Sequence, residues 1–281
     1  MPGKINREHR KRVSQIKKYL SIFRIRFIYA VQYRVVVFSL LFTGFLWGLM
    51  LVLAYAAFYR ADPDAFPMTL SQTISYMWLQ QAFLILFSVV FADDETESSI
   101  ENGSITYELV RPVDLYARWY IRACAGRAAF TVFRLPLLIV VFFLPAPYNM
   151  APPPDVFQFA VFLPSAVLAL CVTAAFTMLM YVSLFYTTSY GGVRVMLIAA
   201  TAFFTGAVIP FPFLPVPVRT VLELLPFAAM QNMPLRIYSG NIAGADALRG
   251  VAFQLIWLVV LITVGKIAMD RALHKVIVQG G

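Results

Sequence analysis

The sequence predicts an all-α integral membrane protein: six transmembrane helices, an N-terminal amphipathic interfacial helix, and re-entrant outer helices between spans five and six. Three observations carry this. Hydrophobic residues make up 60% of the 281 and charged residues only 13%, with a mean hydropathy of +0.75. A soluble domain has about twice that charged fraction. Apolar runs recur at or above the roughly 20 residues that a helix needs to cross the hydrocarbon core. Basic residues gather on one side of those runs, as cytoplasmic segments do. Strand-length alternation of a membrane barrel is absent, and helices satisfy their backbone groups within each segment.

The chain opens on a basic tail. Ten of the 23 basic residues lie in residues 1–34. Beside a membrane span such a tail reads as a cytoplasmic anchor rather than a nucleic-acid arm, so no nucleic-acid partner is expected and membrane lipids are. Within it, Val13, Ile16, Leu20, Phe23, Phe27 and Ala30 are spaced by threes and fours. That spacing forms one apolar stripe on a helix, with Lys17, Lys18 and Arg24 off it, which suits the cytoplasmic interface. The first apolar stretch starts late, is long and lacks a small-residue cleavage site, so no cleavable signal peptide is expected.

The rest, residues 35–281, reads as one six-span domain. The expected spans are Val35–Phe58, Gln72–Ala92, Arg122–Leu144, Gln158–Tyr186, Val193–Leu214 and Val251–Met269. With both termini cytosolic, the inner segments hold the basic tail plus Arg111, Arg118, Arg122, Arg194, Lys266, Arg271 and Lys275. The outer ones hold Arg60, Arg219, Arg236 and Arg249. The outer loop Pro145–Asp155 is short and Pro-rich, with no evident chemistry. Residues 210–250 are too apolar for a free loop and too rich in Pro for a span. Irregular backbone at membrane depth is tolerated when packed on protein. Two short re-entrant helices are expected there, broken near Pro226, with Pro234 helping to end the second.

Charges inside the spans are costly and informative. Arg127 and Arg134 lie seven apart in the third span, on one helical face. Arg127 is about one turn inside and is expected to snorkel to the cytosolic surface. Arg134 falls near the middle and needs a partner or a wet cavity. Gln80 and Gln81 of the second span are candidate hydrogen-bond partners. A structural bond is favoured over contact with an anionic substrate.

Catalytic signatures are missing. No phosphate-binding loop, nucleophile elbow or zinc-protease motif occurs. "SYGG" at Ser189 reads as a turn between spans four and five. His9 and His274 stand near opposite ends of the chain, and Cys124 and Cys171 sit in apolar surroundings. Neither a metal site nor a disulfide framework is expected. The acidic cluster Asp93–Glu101 reads as solvated or capping.

The loop at residues 93–119 is more patterned than a connector requires. Asn102 and Gly103 offer a turn. "ITYELV" suits a short helix, which Arg111-Pro112 would end. "VDLYARWY" then leads into the third span. The run I-x-x-G-x-I-x-x-x-L-x-R-P is filled by Ile100, Gly103, Ile105, Leu109, Arg111 and Pro112. It resembles the permease subunits of bacterial type-2 ABC exporters, in their single-domain six-span branch. "FFTGAVIPFPFLP" and "LLPFAAMQNMPLRIYSG" are similar to that family's fifth span and outer segment.

The resemblance implies a coupling helix in this loop that docks on a separate ATP-binding subunit. It assigns Asn102, Gly103, Ser104, Tyr107, Leu109, Arg111, Pro112 and Asp114 to that contact. It implies an outer gate in the re-entrant segment, with Pro210, Pro212, Glu223 and Pro226 as candidates. It also implies a pathway shared with a second permease, a heterodimer being favoured, in the bacterial inner membrane. ATP and Mg would bind the partner ATPase, with no cofactor held by this chain and no catalytic site in it. Two other classes stay open: a membrane-embedded lipid-modifying enzyme, and a non-transporting membrane scaffold.

Overall fold

The computed structural model describes residues 17, 19–25, 27–28, 34–62, 66–89, 94–101, 104–110, 114–187 and 190–274. For residues 34–37, 94, 101, 109, 190 and 193 it describes the backbone alone. Every regular element among them is helical. In order these are α1 (Arg34–Ala61), α2 (Leu70–Ala82), α3 (Leu84–Phe87), α4 (Asp94–Glu101), α5 (Ile105–Leu109), α6 (Leu115–Arg134) and α7 (Pro136–Phe142). Then follow α8 (Val156–Leu184), α9 (Tyr190–Phe204), α10 (Val216–Leu224), α11 (Met233–Tyr238) and α12 (Gly244–Leu273). A 3-10 turn at Phe211–Phe213 and a π turn at Ala228–Asn232 complete the set.

Among the described residues, four helical stretches are long and apolar enough to cross a membrane: Phe38–Ala61, Leu115–Phe142, Val156–Leu184 and Gly244–Leu273. These overlap the expected first, third and fourth spans and contain the sixth. The third bends at Leu135–Pro136, where Pro136 lacks the N–H that would continue the ladder. It also starts earlier than expected, at Leu115, because the Asp114 side chain accepts from Ala117 N at 2.7 Å and caps it.

The other two expected spans differ. The second is divided at Phe83, whose backbone (φ −98°, ψ 11°) leaves the helical region. Its described pieces are α2 and α3. The fifth is the 15-residue α9; Gly206, at φ +80°, turns the chain before Pro210 can be reached. "SYGG" is not wholly a turn either, since Gly191 and Gly192 lie inside α9. Of the N-terminal stripe, Leu20, Phe23 and Phe27 fall on described helical residues, while Val13, Ile16 and Ala30 lie outside them. The Phe27 ring sits 6.4 Å from that of Phe133, so this segment packs on α6.

The core runs through the bundle in two main clusters. One joins α1, α2, α7, α8 and α11 around Trp78, Leu79, Val141 and Leu235. The other gathers Trp119, Met178, Tyr181 and Met269 where α6, α8 and α12 meet. Helices α8 and α12 are bonded through Ser165 Oγ, which donates to Gln254 Oε1 at 2.8 Å. The Pro145–Asp155 loop is not idle. The Tyr148 carbonyl accepts from Trp78 Nε1 at 2.9 Å, and Ala151 N donates to Ser75 Oγ at 3.0 Å.

Close approach sets the α1 contact. A Cβ on Gly44 would overlap the Arg134 guanidinium, and one on Gly48 would overlap the Trp78 ring. The two glycines lie four apart, on one helical face, as small residues do where membrane helices meet. Gly48→Val should therefore lower stability in mild detergent by about 1–3 kcal/mol through overpacking. Gly191→Ala, where a Cβ meets open space, should not. Thermal unfolding of the two variants beside the parent checks this.

Candidate functional site

At one end of the bundle the short helix α5 is clamped by a carboxylate. Glu108 accepts from Trp119 Nε1 at 2.7 Å and from Arg118 Nη2 at 3.1 Å, and Arg122 Nη1 stands at 3.6 Å. Three donors on the first two turns of α6 thus hold one acidic group on α5. Charge-assisted bonds of this kind are the stronger class. Arg122 also donates to Glu95 of α4 at 2.8 Å, and Arg194 of α9 to Glu97 at 3.2 Å. The loop is therefore tied to two different helices, α6 and α9. Thr96, Glu97 and Ser99 are buried while Glu95 is exposed, so the described part of the acidic stretch is packed on one side and solvated on the other.

The clamp fixes what α5 turns outward. Ile105 is buried, while Tyr107 is 78% exposed and Val110 85% exposed. An ordered helix presenting an aromatic and a branched apolar side chain is suited to hold a partner.

Deeper in the bundle, two arginines of α6 meet the divided pair α2–α3. Arg127, fully buried, donates Nε to the Ser88 carbonyl at 3.2 Å and Nη2 to the Val89 carbonyl at 3.4 Å. Its Nη2 also reaches Thr177 Oγ1 of α8 at 2.6 Å, and Nη1 the Ala123 carbonyl at 3.2 Å. Arg134, 2% exposed, donates Nε to the Gln81 carbonyl at 3.0 Å. Gln81, Ser88 and Val89 lie where α2 and α3 stop. The last carbonyls of a helix lack ladder partners, and a cation there is also favoured by the helix dipole. Each arginine therefore closes one end of the broken span. Arg134 Nη2 has no partner among the described residues.

At the opposite end, residues 205–243 fold as short pieces on α8 and α12. Glu223 of α10 accepts from Arg236 Nη1 of α11 at 2.6 Å, with Arg219 Nε at 4.0 Å. Gln254 Nε2 donates to the Ala229 carbonyl in the π turn at 2.9 Å, and Gln158 Nε2 to the Ile242 carbonyl at 2.7 Å. The segment also touches the second span: Gln80 Nε2 donates to the Ala207 carbonyl at 2.6 Å. Tyr76 faces Gln231 without a closed hydrogen bond, leaving its hydroxyl and Gln231 Nε2 buried and unpartnered among the described residues. A cavity of about 120 Å³ opens beside them, between α3 and α9.

Set against the sequence, the outcome is mixed. Tyr107 is exposed. Asp114 is exposed but serves as the N-cap of α6, and Ser104 precedes α5. Asn102, Gly103, Arg111 and Pro112 lie outside the described residues, as does the Leu109 side chain. Arg127 does not snorkel; it is buried because α6 begins at Leu115, which puts it about 18 Å along the helix. Arg134 meets Gln81 through its carbonyl, while Gln80 turns to Ala207. Pro210, Pro212 and Pro226 are buried and Glu223 is half-buried in an ion pair. Pro234 sits in the first turn of α11 and does not end it; Gly240, at φ +75°, follows its end. The residues the sequence did not single out are Glu108, Trp119 and Thr177, whose partners are ten or more positions away.

A helical protein with four helices long enough to cross a membrane, a clamped short helix between α3 and α6, and short broken helices between α9 and α12 is the class that emerges. The family described as ABC-2 family transporter protein matches residues 45–280, and the chain belongs to it. No curated protein matches the chain. Membership makes it a multi-pass membrane protein and a permease of an ABC transporter, a subunit that works with an ATP-binding partner.

Because the Ser88 and Val89 carbonyls at the end of α3 rest on its guanidinium, Arg127→Leu should destabilise the fold by about 2–4 kcal/mol, the scale of buried carbonyls left unpaired. Arg127→Lys should recover part of this, since one ammonium cannot match the fork. Thermal melts of both variants in detergent test it; an Arg127→Leu melt matching the parent would contradict the assignment.

Proposed function

We propose that the chain is the transmembrane subunit of an ATP-driven exporter, crossing a bacterial inner membrane six times with both termini in the cytosol. In this reading α2–α3 and α9 complete the six spans, and the N-terminal helix lies along the cytosolic interface. The observation that carries the proposal is the Glu108 clamp, which holds α5 as a rigid helix with Tyr107 and Val110 turned out. A helix tied to α6 through Arg118, Arg122 and Trp119 moves only with its span, so force applied to it enters the membrane.

The mechanism follows from these connections. ATP and Mg bind the partner subunits, and their closure shifts α5 through contacts at residues 102–114. The Glu108 clamp passes the shift to α6, and the Arg194–Glu97 pair passes it to α9. Arg127 and Arg134 relay it to the divided second span. The outer segment then opens around the Glu223–Arg236 pair, and the pathway forms against a second, different permease subunit. The permease makes no covalent step; it presents two states with different affinity for the transported molecule.

A Tyr107→Cys chain co-expressed with a cognate ATP-binding subunit should crosslink to it, with a yield that changes when ATP is added. Glu108→Ala should lower permease-dependent ATP hydrolysis at least roughly fivefold, the loss of a charge-assisted anchor, while the chain still reaches the membrane. Failure to capture the ATPase where it is demonstrably present would sink the coupling role.

A further inference from the structure

An open groove lies on the membrane-facing side of α2, α7 and α8. It encloses about 370 Å³ and is lined by Leu79, Phe83, Leu138, Phe142, Phe162 and Tyr238. Ile139 and Phe143 stand exposed at its rim, so it opens sideways to the hydrocarbon rather than into the bundle. Its walls are aromatic: Phe83 meets Phe162 edge-on at 5.9 Å, and Phe162 meets Tyr238 at 5.1 Å. The Tyr238 hydroxyl is turned to the Ala151 carbonyl at 3.4 Å. A water needs two to four polar partners and finds none on such walls, so the occupant is apolar. The volume suits on the order of ten methylene-sized groups, taking water's share of about 30 Å³ as the gauge.

A cation is bonded to the loop that gives the groove Met150. Arg60, exposed at the end of α1, donates Nη2 to the Tyr148 hydroxyl at 2.7 Å. Tyr148 is fixed through its carbonyl by Trp78, the neighbour of groove residue Leu79, and Met150 of the same loop lines the groove. An apolar slot whose loop is bonded to a guanidinium matches a lipid with an apolar tail and a phosphate-bearing headgroup.

We propose that this groove binds one acyl tail of a phospholipid, with Arg60 favouring an anionic headgroup. The tail lies against Phe83, where the second span breaks, and against Tyr238 of α11. A bound lipid therefore stiffens both elements at once. Its placement in the outer leaflet rests on the topology proposed above; binding itself does not.

The test is native mass spectrometry of the full chain in detergent, titrated with phosphatidylglycerol or phosphatidylcholine carrying identical tails. One lipid per chain should be retained through delipidation, with phosphatidylglycerol favoured. Leu138→Trp, which fills the groove, should cut retention about tenfold, while Arg60→Gln should remove a roughly threefold headgroup preference, the size of an exposed charge contact. Asp62, two residues after Arg60, keeps that preference modest. Independently of any variant, phosphatidylglycerol with a diazirine at the tail end should mark residues 79–87 and 138–143 of the unaltered chain more densely than Phe38, Phe42 and Met50 of α1. Equal marking of both surfaces, or retention unaffected by a folded Leu138→Trp chain, overturns the site. An unchanged preference in Arg60→Gln overturns the headgroup assignment. Neither readout requires an ATP-binding subunit, so failure here is distinct from failure of the permease reading.

Discussion

In hydrocarbon, a carbonyl that leaves its helical ladder must find another donor inside the protein. The helical pair α2–α3 breaks at Phe83 and ends near Ser88, and the carbonyls freed there meet Arg127 and Arg134. The spacing of seven places both guanidiniums on one face of α6, each level with one end. The constraint works in both directions. A buried arginine is itself expensive at membrane depth, and the helix ends are what make it tolerable. Break and cations are therefore a single feature, and Thr177 of α8 and the opening at Gly44 are arranged around it.

That feature sits between the two ends of the bundle. On one side, α5 and α4 are fastened to α6 and α9 by carboxylate–guanidinium pairs. On the other, Gln80, Gln158 and Gln254 hold the short helices of residues 205–243 by their free carbonyls. The same chemistry recurs at each place: irregular backbone is accepted where a side-chain donor reaches it. Among the described residues, the buried polar side chains of Arg127, Arg134, Gln80, Gln158 and Gln254 sit at such joints. This arrangement suits a protein whose work is to move helices.

The sequence made some of this legible. Composition and run length gave the long helices, and the spacing of Arg127 and Arg134 announced a polar face. The short helix was readable from "ITYELV", and the family from the pattern running through Ile100 to Pro112. The break at Phe83 was not, because "LQQAFLILF" contains no Gly or Pro and is locally consistent with a continuous helix. Tertiary contacts decide it: the Phe83 ring packs against Phe87 and Phe162, and Arg134 takes the Gln81 carbonyl. Arg127 was misplaced because its depth was counted from Arg122, whereas the cap at Asp114 starts the helix two turns sooner. Pro234 was read as a stop, but a proline is also welcome in a helix's first turn. Glu108 escaped notice because its partners lie on the next helix, beyond any local pattern.

Hydrogen–deuterium exchange across the second span, in the protein reconstituted in nanodiscs, tests the central claim most directly. If the guanidinium of Arg127 holds the lower piece in place, Arg127→Gln raises exchange in residues 84–89 and leaves residues 70–79 as protected as in the parent. Unchanged exchange in both stretches, or an equal rise in both, would contradict a span divided at Phe83 and closed by the arginines of its neighbour.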